Sequence, residues 1–234
     1  NTTGYASYGQ GVEAQVTPNR SRYTNAGVAL PSAKSTQKEL GFKGAQGEWL
    51  WNAALFDITR PVWGDQGACE EANSCTRKLD GMAEHKGLEL GMGYRNNQWK
   101  LDTAATKLNA TRVDAVIDPS QNGQRPLNVP ALIVRAAAEY RWTEVPGLRT
   151  SVRLSHEGQR DLVEGGAMTL PGWTTADLAA HYSTKVAGHD TEWTFAVENV
   201  TNKAYWKESP KQFGHYYLYA GAPRNFRLTV RTLF

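Results

Sequence analysis

The end of the chain limits what it can become. Phe226, Leu228, Val230, Thr232 and Phe234 share one parity, while Arg227, Thr229 and Arg231 share the other. Successive side chains of a β-strand point to opposite sides, so this spacing gives one apolar face and one wet face. Trp193, Phe195 and Val197 repeat the pattern against Glu192, Thr194 and Glu198. The apolar spacing of three or four that a helix needs is missing almost everywhere.

The same alternation recurs along all 234 residues and predicts about ten strands. The first five run over Gly4–Gly11, Lys38–Lys43, Trp49–Ile58, His85–Tyr94 and from Trp99 onward. The rest begin near Leu132, Leu148, Ala176, Thr191 and Phe226. In the third strand both parities carry apolar residues, which leaves its faces open. Short turns are expected near Gly47, Asn96, Pro146 and Gly188. Longer polar connections surround Pro18, Cys69, Gln121, Gly158 and Tyr217, including one from Thr59 to Leu79. Short and long connections alternate, which puts all the short ones at one end of the sheet. A soluble sandwich has no reason to sort its loops this way, whereas outer-membrane barrels do. Tryptophan placement agrees: Trp49, Trp51, Trp99, Trp142 and Trp193 each lie a few residues from a short turn. An aromatic girdle at one membrane interface falls there, although core aromatics near hairpin ends would look similar.

Composition removes several classes. Twenty-six basic residues against 23 acidic ones give a formal charge of +3, too balanced for a strongly basic nucleic-acid binder. Mean hydropathy is −0.55, and no 18-residue apolar run occurs. That excludes a membrane-spanning helix but not a barrel, whose strands hide a lipid face behind alternate polar positions. Asn1-Thr2-Thr3-Gly4 is no signal peptide, so the numbering is expected to start after processing or within a longer protein. Cys69 and Cys75 sit close together in a polar stretch and read as a short disulfide in an oxidising compartment. Two free thiols or half of a metal site are the other readings.

Several segments carry a family likeness. They are Ala54-Leu55-Phe56-Asp57-Ile58-Thr59-Arg60, Gly87-Leu88-Glu89-Leu90, the Glu39-x-Gly41-x-Lys43 core and the run from Glu198 through Asn199 to Trp206. Gly221-Ala222-Pro223-Arg224, leading into the last strand, completes the set. In this order the chain resembles the C-terminal part of a TonB-dependent outer-membrane receptor of the siderophore type. The resemblance implies an all-β transmembrane antiparallel barrel of about 22 strands around an N-terminal plug. Residues 1–234 would then form one domain piece, the last ten or so strands, with the plug and the TonB-contacting segment absent. It further implies TonB-dependent uptake of a ferric siderophore across the bacterial outer membrane. Expected partners are outer-membrane lipid, the plug, the remaining strands and TonB, with no nucleic acid. The siderophore would be cargo, and no resident cofactor is expected. Haem, cobalamin or another metal complex are alternative cargoes.

Two sets of side chains stand out within this reading. Arg135, Arg141, Arg149, Arg153, Arg227 and Arg231 outnumber Glu139, Asp177, Glu192 and Glu198 on the expected lumen face. If the turn at Pro146 is symmetric, Arg141 faces Arg149, a repulsive pair. Carboxylates of a plug would neutralise it, or water and salt would screen it. The second set lies on the outer loops: Arg60, Trp63, His156, Arg160, Trp173, Trp206, His215, Tyr216, Tyr217 and Tyr219. Aromatic faces and guanidinium donors suit a ferric chelate. An upper girdle plus loop packing is the structural alternative.

An enzyme is not expected. His156, Asp161 and Glu164 can be drawn as an acid–base group, as in a closed ten-strand barrel protease. No nucleophile elbow, phosphate loop or zinc spacing accompanies them. A soluble all-β binding module is the third class.

Overall fold

The computed structural model describes residues 1–212 and 215–233. The expected aromatic terminus, Phe234, lies outside the described residues, as do Phe213 and Gly214. Ten long strands form one antiparallel sheet in which each pairs with its chain neighbour. They are β1 (Thr2–Glu13), β2 (Ala33–Gln46), β3 (Trp49–Gly67), β4 (Cys75–Arg95) and β5 (Trp99–Val113). Then come β6 (Leu132–Arg141), β7 (Leu148–Glu157), β8 (Trp173–Val186), β9 (His189–Glu198) and β10 (Asn225–Thr232). The sheet does not close, because β1 and β10 each pair on one side only among the described residues. The closed ten-strand arrangement is therefore not what forms.

One expectation needs correcting. The stretch from Thr59 to Leu79 is mostly a continued hairpin, with Asp65 opposite Arg77 and Gly67 opposite Cys75. The register shifts between Pro61 and Trp63, where a proline cannot donate to the ladder. Only residues 68–74 form the tip, and a disulfide joins Cys69 to Cys75 across a Cα separation of 4.5 Å.

The register resolves both faces, including those of β3. Leu40 pairs with Leu55 and Leu55 with Leu88, while Ala53 pairs with Leu90. Farther along, Ala136, Leu154 and Ala176 form one row, and Leu178, Val197 and Phe226 another. Leu55 and Phe226 are 58% and 63% exposed on this apolar face. An apolar sheet face left this open must meet lipid or protein.

At the short-turn end the apolar face carries a belt of rings. Trp49 lies 4.7 Å from Tyr94, Trp99 lies 4.6 Å from Tyr140, and Tyr140 lies 5.1 Å from Trp142. Tyr182 and Trp193 continue it as a cross-strand pair. Eight residues beyond this belt the same face turns charged, as from Tyr94 to Lys86 and from Trp99 to Lys107. At ~3.3 Å per residue and a strand tilt of ~40° that is roughly 20 Å of apolar height, close to a barrel's lipid band.

The opposite face is polar and shows why the Glu39-x-Gly41-x-Lys43 motif exists. Tyr5 donates its hydroxyl to Glu39, 2.5 Å away, and Lys43 Nζ sits 5.6 Å from its ring centroid. The ring crosses Gly41 so closely that a Cβ there would meet it at 2.5 Å. Farther round, Arg141 and Arg149 are direct register partners, as the turn at Pro146 suggested. Wall carboxylates already engage Arg149, with Glu192 at 2.9 Å and Glu139 at 3.4 Å. Arg141 has no ion-pair partner among the described residues.

Apart from small residues in the sheet such as Ala54 and Ala196, the buried side chains gather under the loops. Tyr23, Asp80, Arg112, Arg160, Leu170, Trp173, Asn199 and Ser209 are all buried at the long-loop end. A sheet with oil on one side and water on the other has no dry interior of its own, so packing concentrates where loops fold together.

Candidate ligand site at the loop end

Asp80 and Arg112, from β4 and β5, hold the centre of the loop layer. Arg112 Nη2 donates to the Asp80 carboxylate at 3.1 Å and to its carbonyl at 2.7 Å. The other carboxylate oxygen accepts the amides of Val116 and Ile117 at 2.9 and 2.8 Å. Gln121 accepts a further bond from Arg112 at 3.1 Å. A buried ion pair is tolerable when further hydrogen bonds offset its desolvation; here both Asp80 carboxylate oxygens and both terminal Arg112 nitrogens are engaged, while Arg112 Nε has no partner among the described residues. The pair thereby folds the start of the 114–131 connection over the wall.

Neighbouring loops are tied in by the same kind of contact. The Tyr23 hydroxyl donates to Asp65 at 2.9 Å, and Arg77 lies 3.4 Å from the same carboxylate. Glu157 bridges Arg135 and the buried Arg160. Asn128 accepts from Arg160 at 3.3 Å and from the Ser209 amide at 3.0 Å, joining three long connections. Trp173 stacks on Tyr205 with centroids 4.6 Å apart and has Arg135 5.8 Å from its ring.

Glu164 is bonded to Lys211 and to the Tyr216 hydroxyl. Burial pushes the Glu164 carboxyl up, but Lys211 and Tyr216 outweigh it and hold the group below its ordinary value. Burial pulls Lys211 down, yet Glu164 keeps it above its ordinary value. Burial and then Glu164 push the Tyr216 phenol up. Glu164 and Lys211, with Trp63, Asp65, Asp80 and Arg112, border a cleft of about 580 Å³. A second cleft of about 630 Å³ lies against Tyr205, Trp206 and Lys203.

The ten outer residues singled out in the sequence are not one cluster. Trp63 lines the first cleft, Tyr216 is tied to it only through its bond to Glu164, and Trp206 lines the second. Arg160 and Trp173 are buried scaffold, 5% and 7% exposed. Arg60 is a wall residue, gripped through two bonds by Glu13 at 3.0 and 3.1 Å. His156 is not an outer-loop residue at all. It sits in β7 on the apolar face and shares a hydrogen bond with Thr174 at 2.9 Å. Tyr219 pairs with Glu208 and His215 with Gln212 in short exposed ladders, and the Tyr217 amide donates to Pro210 at 3.1 Å. Nor do His156, Asp161 and Glu164 assemble, since no hydrogen bond links them among the described residues.

Sequence reasoning missed the Asp80–Arg112 and Asp65–Arg77 pairs. Extending the hairpin register past Pro61 would have found the second, because Asp65 and Arg77 are equidistant from the tip. No signal would have found the first, whose partners are 32 residues apart and whose geometry is set by a loop.

The comparisons with known proteins follow the geometry. Residues 1–202 match the profile of the family described as TonB dependent receptor-like, beta-barrel. The chain belongs to this family of TonB-dependent receptor barrels. It is 30% identical over 223 residues to the ferrichrome receptor FcuA of Yersinia enterocolitica, covering 95% of this chain and 28% of that protein. The crystal structure of BauA, the ferric preacinetobactin receptor of Acinetobacter baumannii, superposes with a TM-score of 0.79 at 26% identity. It covers 99% of this chain and 34% of BauA. The ferric yersiniabactin uptake receptor FyuA of Yersinia pestis shares the fold at TM-score 0.77 and 14% identity, over 100% of this chain and 35% of its own. This TonB-dependent receptor segment thus spans about a third of its relatives' length. Its apolar face is the lipid face and its polar face the lumen face of a barrel wall.

Proposed function

We propose that this chain is the C-terminal portion of the barrel of a bacterial outer-membrane receptor that imports a ferric siderophore, driven through TonB. The observation that carries the reading is family membership over residues 1–202, joined to a ferrichrome receptor aligned along 95% of the chain. The physics of the sheet agrees with it. Unpaired strand edges cannot sit in hydrocarbon, so β1 and β10 need neighbouring strands of the same wall. The loop layer, with its clefts against Trp63 and Trp206, supplies part of the mouth where the chelate is received. A plug inside the lumen would meet the polar face, where Arg141 has no counter-charge among the described residues.

The test is uptake of iron-labelled siderophores by an iron-starved strain that carries only the receptor containing this segment. Accumulation that vanishes when TonB is deleted supports the reading. Accumulation that persists without TonB, or uptake of haem or cobalamin with no ferric chelate taken, contradicts it.

A further inference from the structure

Arg135 belongs to two places at once. It lies in β6 on the polar face, where it lines a lumen-side cavity of about 1210 Å³. Its guanidinium also reaches the loop layer. One terminal nitrogen donates to the His156 carbonyl at 2.8 Å, and the other bonds to the Glu157 carboxylate. Its charge sits 5.8 Å from the ring of Trp173, the register partner of Glu157.

Trp173 carries that contact to the outer cleft. It is buried and stacks on Tyr205 with centroids 4.6 Å apart. The Tyr205 ring also lies against Gly221, too close for any Cβ there, and the Gly221 amide donates to the Tyr205 carbonyl at 2.8 Å. Tyr205, Trp206 and Gly221 line the cleft of about 630 Å³, which Arg135 itself does not reach. Burial, then the Asp177 and Glu157 carboxylates, push the Tyr205 phenol up, so its hydroxyl senses the same cluster.

Glu157 separates this arrangement from plain scaffolding. Its carboxylate takes both Arg135 and Arg160, and Arg160 donates to Asn128 at 3.3 Å. The Ser209 amide meets the same Asn128 oxygen at 3.0 Å. Without Arg135, Glu157 stays paired with Arg160 and the anchor at Asn128 survives. What disappears is the cation beside Trp173.

We infer that Arg135 is a positioning residue: from the lumen side it fixes the Trp173–Tyr205 ring pair that walls the outer cleft, and so sets how tightly a chelate is held there. The inference rests on the proposed siderophore function and adds to it a wall residue that acts on the ligand through two rings.

The test uses the whole purified receptor and two probes, a ferric hydroxamate and a ferric catecholate chelate, with binding followed by fluorescence quenching. Arg135→Gln should weaken the probe that binds by about fivefold or more. Arg135→Lys restores the cation but not both bonds, and should recover part of the loss. In cells the half-saturating concentration for uptake should rise while the maximal rate per receptor holds. In a Tyr205→Leu background Arg135→Gln should add nothing, because the ring it positions is gone. Amide exchange in Arg135→Gln should rise at Gly221 and not at Ser209. Lys185→Gln, at the short-turn end, should change none of these. Unchanged affinity in Arg135→Gln, additive effects in the double variant, or a maximal rate that falls with affinity overturns the inference and leaves siderophore uptake standing. Binding of neither probe overturns both.

Discussion

Asn199 Nδ2 donates to the carbonyl oxygen of Ala222, 2.9 Å away, and fastens the end of the last long loop to its beginning. The same amide donates to Lys203 and accepts from the Lys203 amide, both at 2.9 Å. Its backbone N–H donates to Asp177 at 2.8 Å. Two segments singled out for family likeness, around Glu198 and around Gly221, are thus one device: a clamp that returns the chain to β10 in register. Asn199→Ala removes the clamp and leaves the part-buried Lys203 and Ala222 carbonyls without this donor, at a cost of ~1–3 kcal/mol. Asn199→Asp should do nearly as badly, because a carboxylate cannot donate to either carbonyl. Amide exchange over 200–224 reads the result, which should rise strongly while β2 to β5 stay protected.

The Tyr5–Gly41 contact predicts a coupled pair. Gly41→Ala drives a methyl into the Tyr5 ring and should destabilise the wall by ~1–3 kcal/mol. In a Tyr5→Ala background most of that cost should disappear, since the ring that blocks the methyl is gone. A double-mutant cycle by urea unfolding in detergent measures the coupling, and additive effects would contradict the geometry.

Height on the lipid face sets the next expectation. Leu90 lies midway between Tyr94 and Lys86 and is 47% exposed. Leu90→Arg should cost ~2–4 kcal/mol in a bilayer. Leu154 is six residues above Leu148 at the girdle level, so Leu154→Arg should cost less. Equal penalties would show that neither position senses membrane depth.

Acid and base should act oppositely on the Glu164–Lys211 tie. A lowered carboxyl contributes stability above its ordinary value of 4.5 and loses it as pH falls through its lower folded value. A raised ammonium contributes below its ordinary value of 10.5 and loses it as pH rises through its higher folded value. Because the Tyr216 phenol is likewise raised from its ordinary 10.0, exchange protection of Tyr216 should be flat between about pH 4.5 and 10 and fall outside that window. Glu164→Gln should abolish the acid limb.

The wall was legible in the sequence because its two solvents impose a two-residue period on every strand, from Leu40 and Phe42 to Leu228 and Val230. Turn chemistry at Gly47 and Gly188 added the loop sorting. Strand ends beyond the membrane were not legible. There both faces are wet, Asp65 and Arg77 pair as ions, and polar residues in a hairpin look like a loop. The site was least legible of all. His156 carries a binding-type side chain but stands on the lipid face, whereas Asp80 and Arg112 acquire their roles only when the 114–131 connection folds over them.

The account stands on one assignment, lipid on one side of the wall and water on the other. Nitroxide labels placed singly at Leu88, Glu89, Leu90, Asp102 and Thr103 of the whole receptor in bilayers test it directly. Relaxation by dissolved oxygen should be strong at Leu88, Leu90 and Thr103, and relaxation by a water-soluble nickel chelate strong at Glu89 and Asp102. A period of two between the reagents is the predicted result; protection of both sets from oxygen, or nickel access at Leu90, would contradict it.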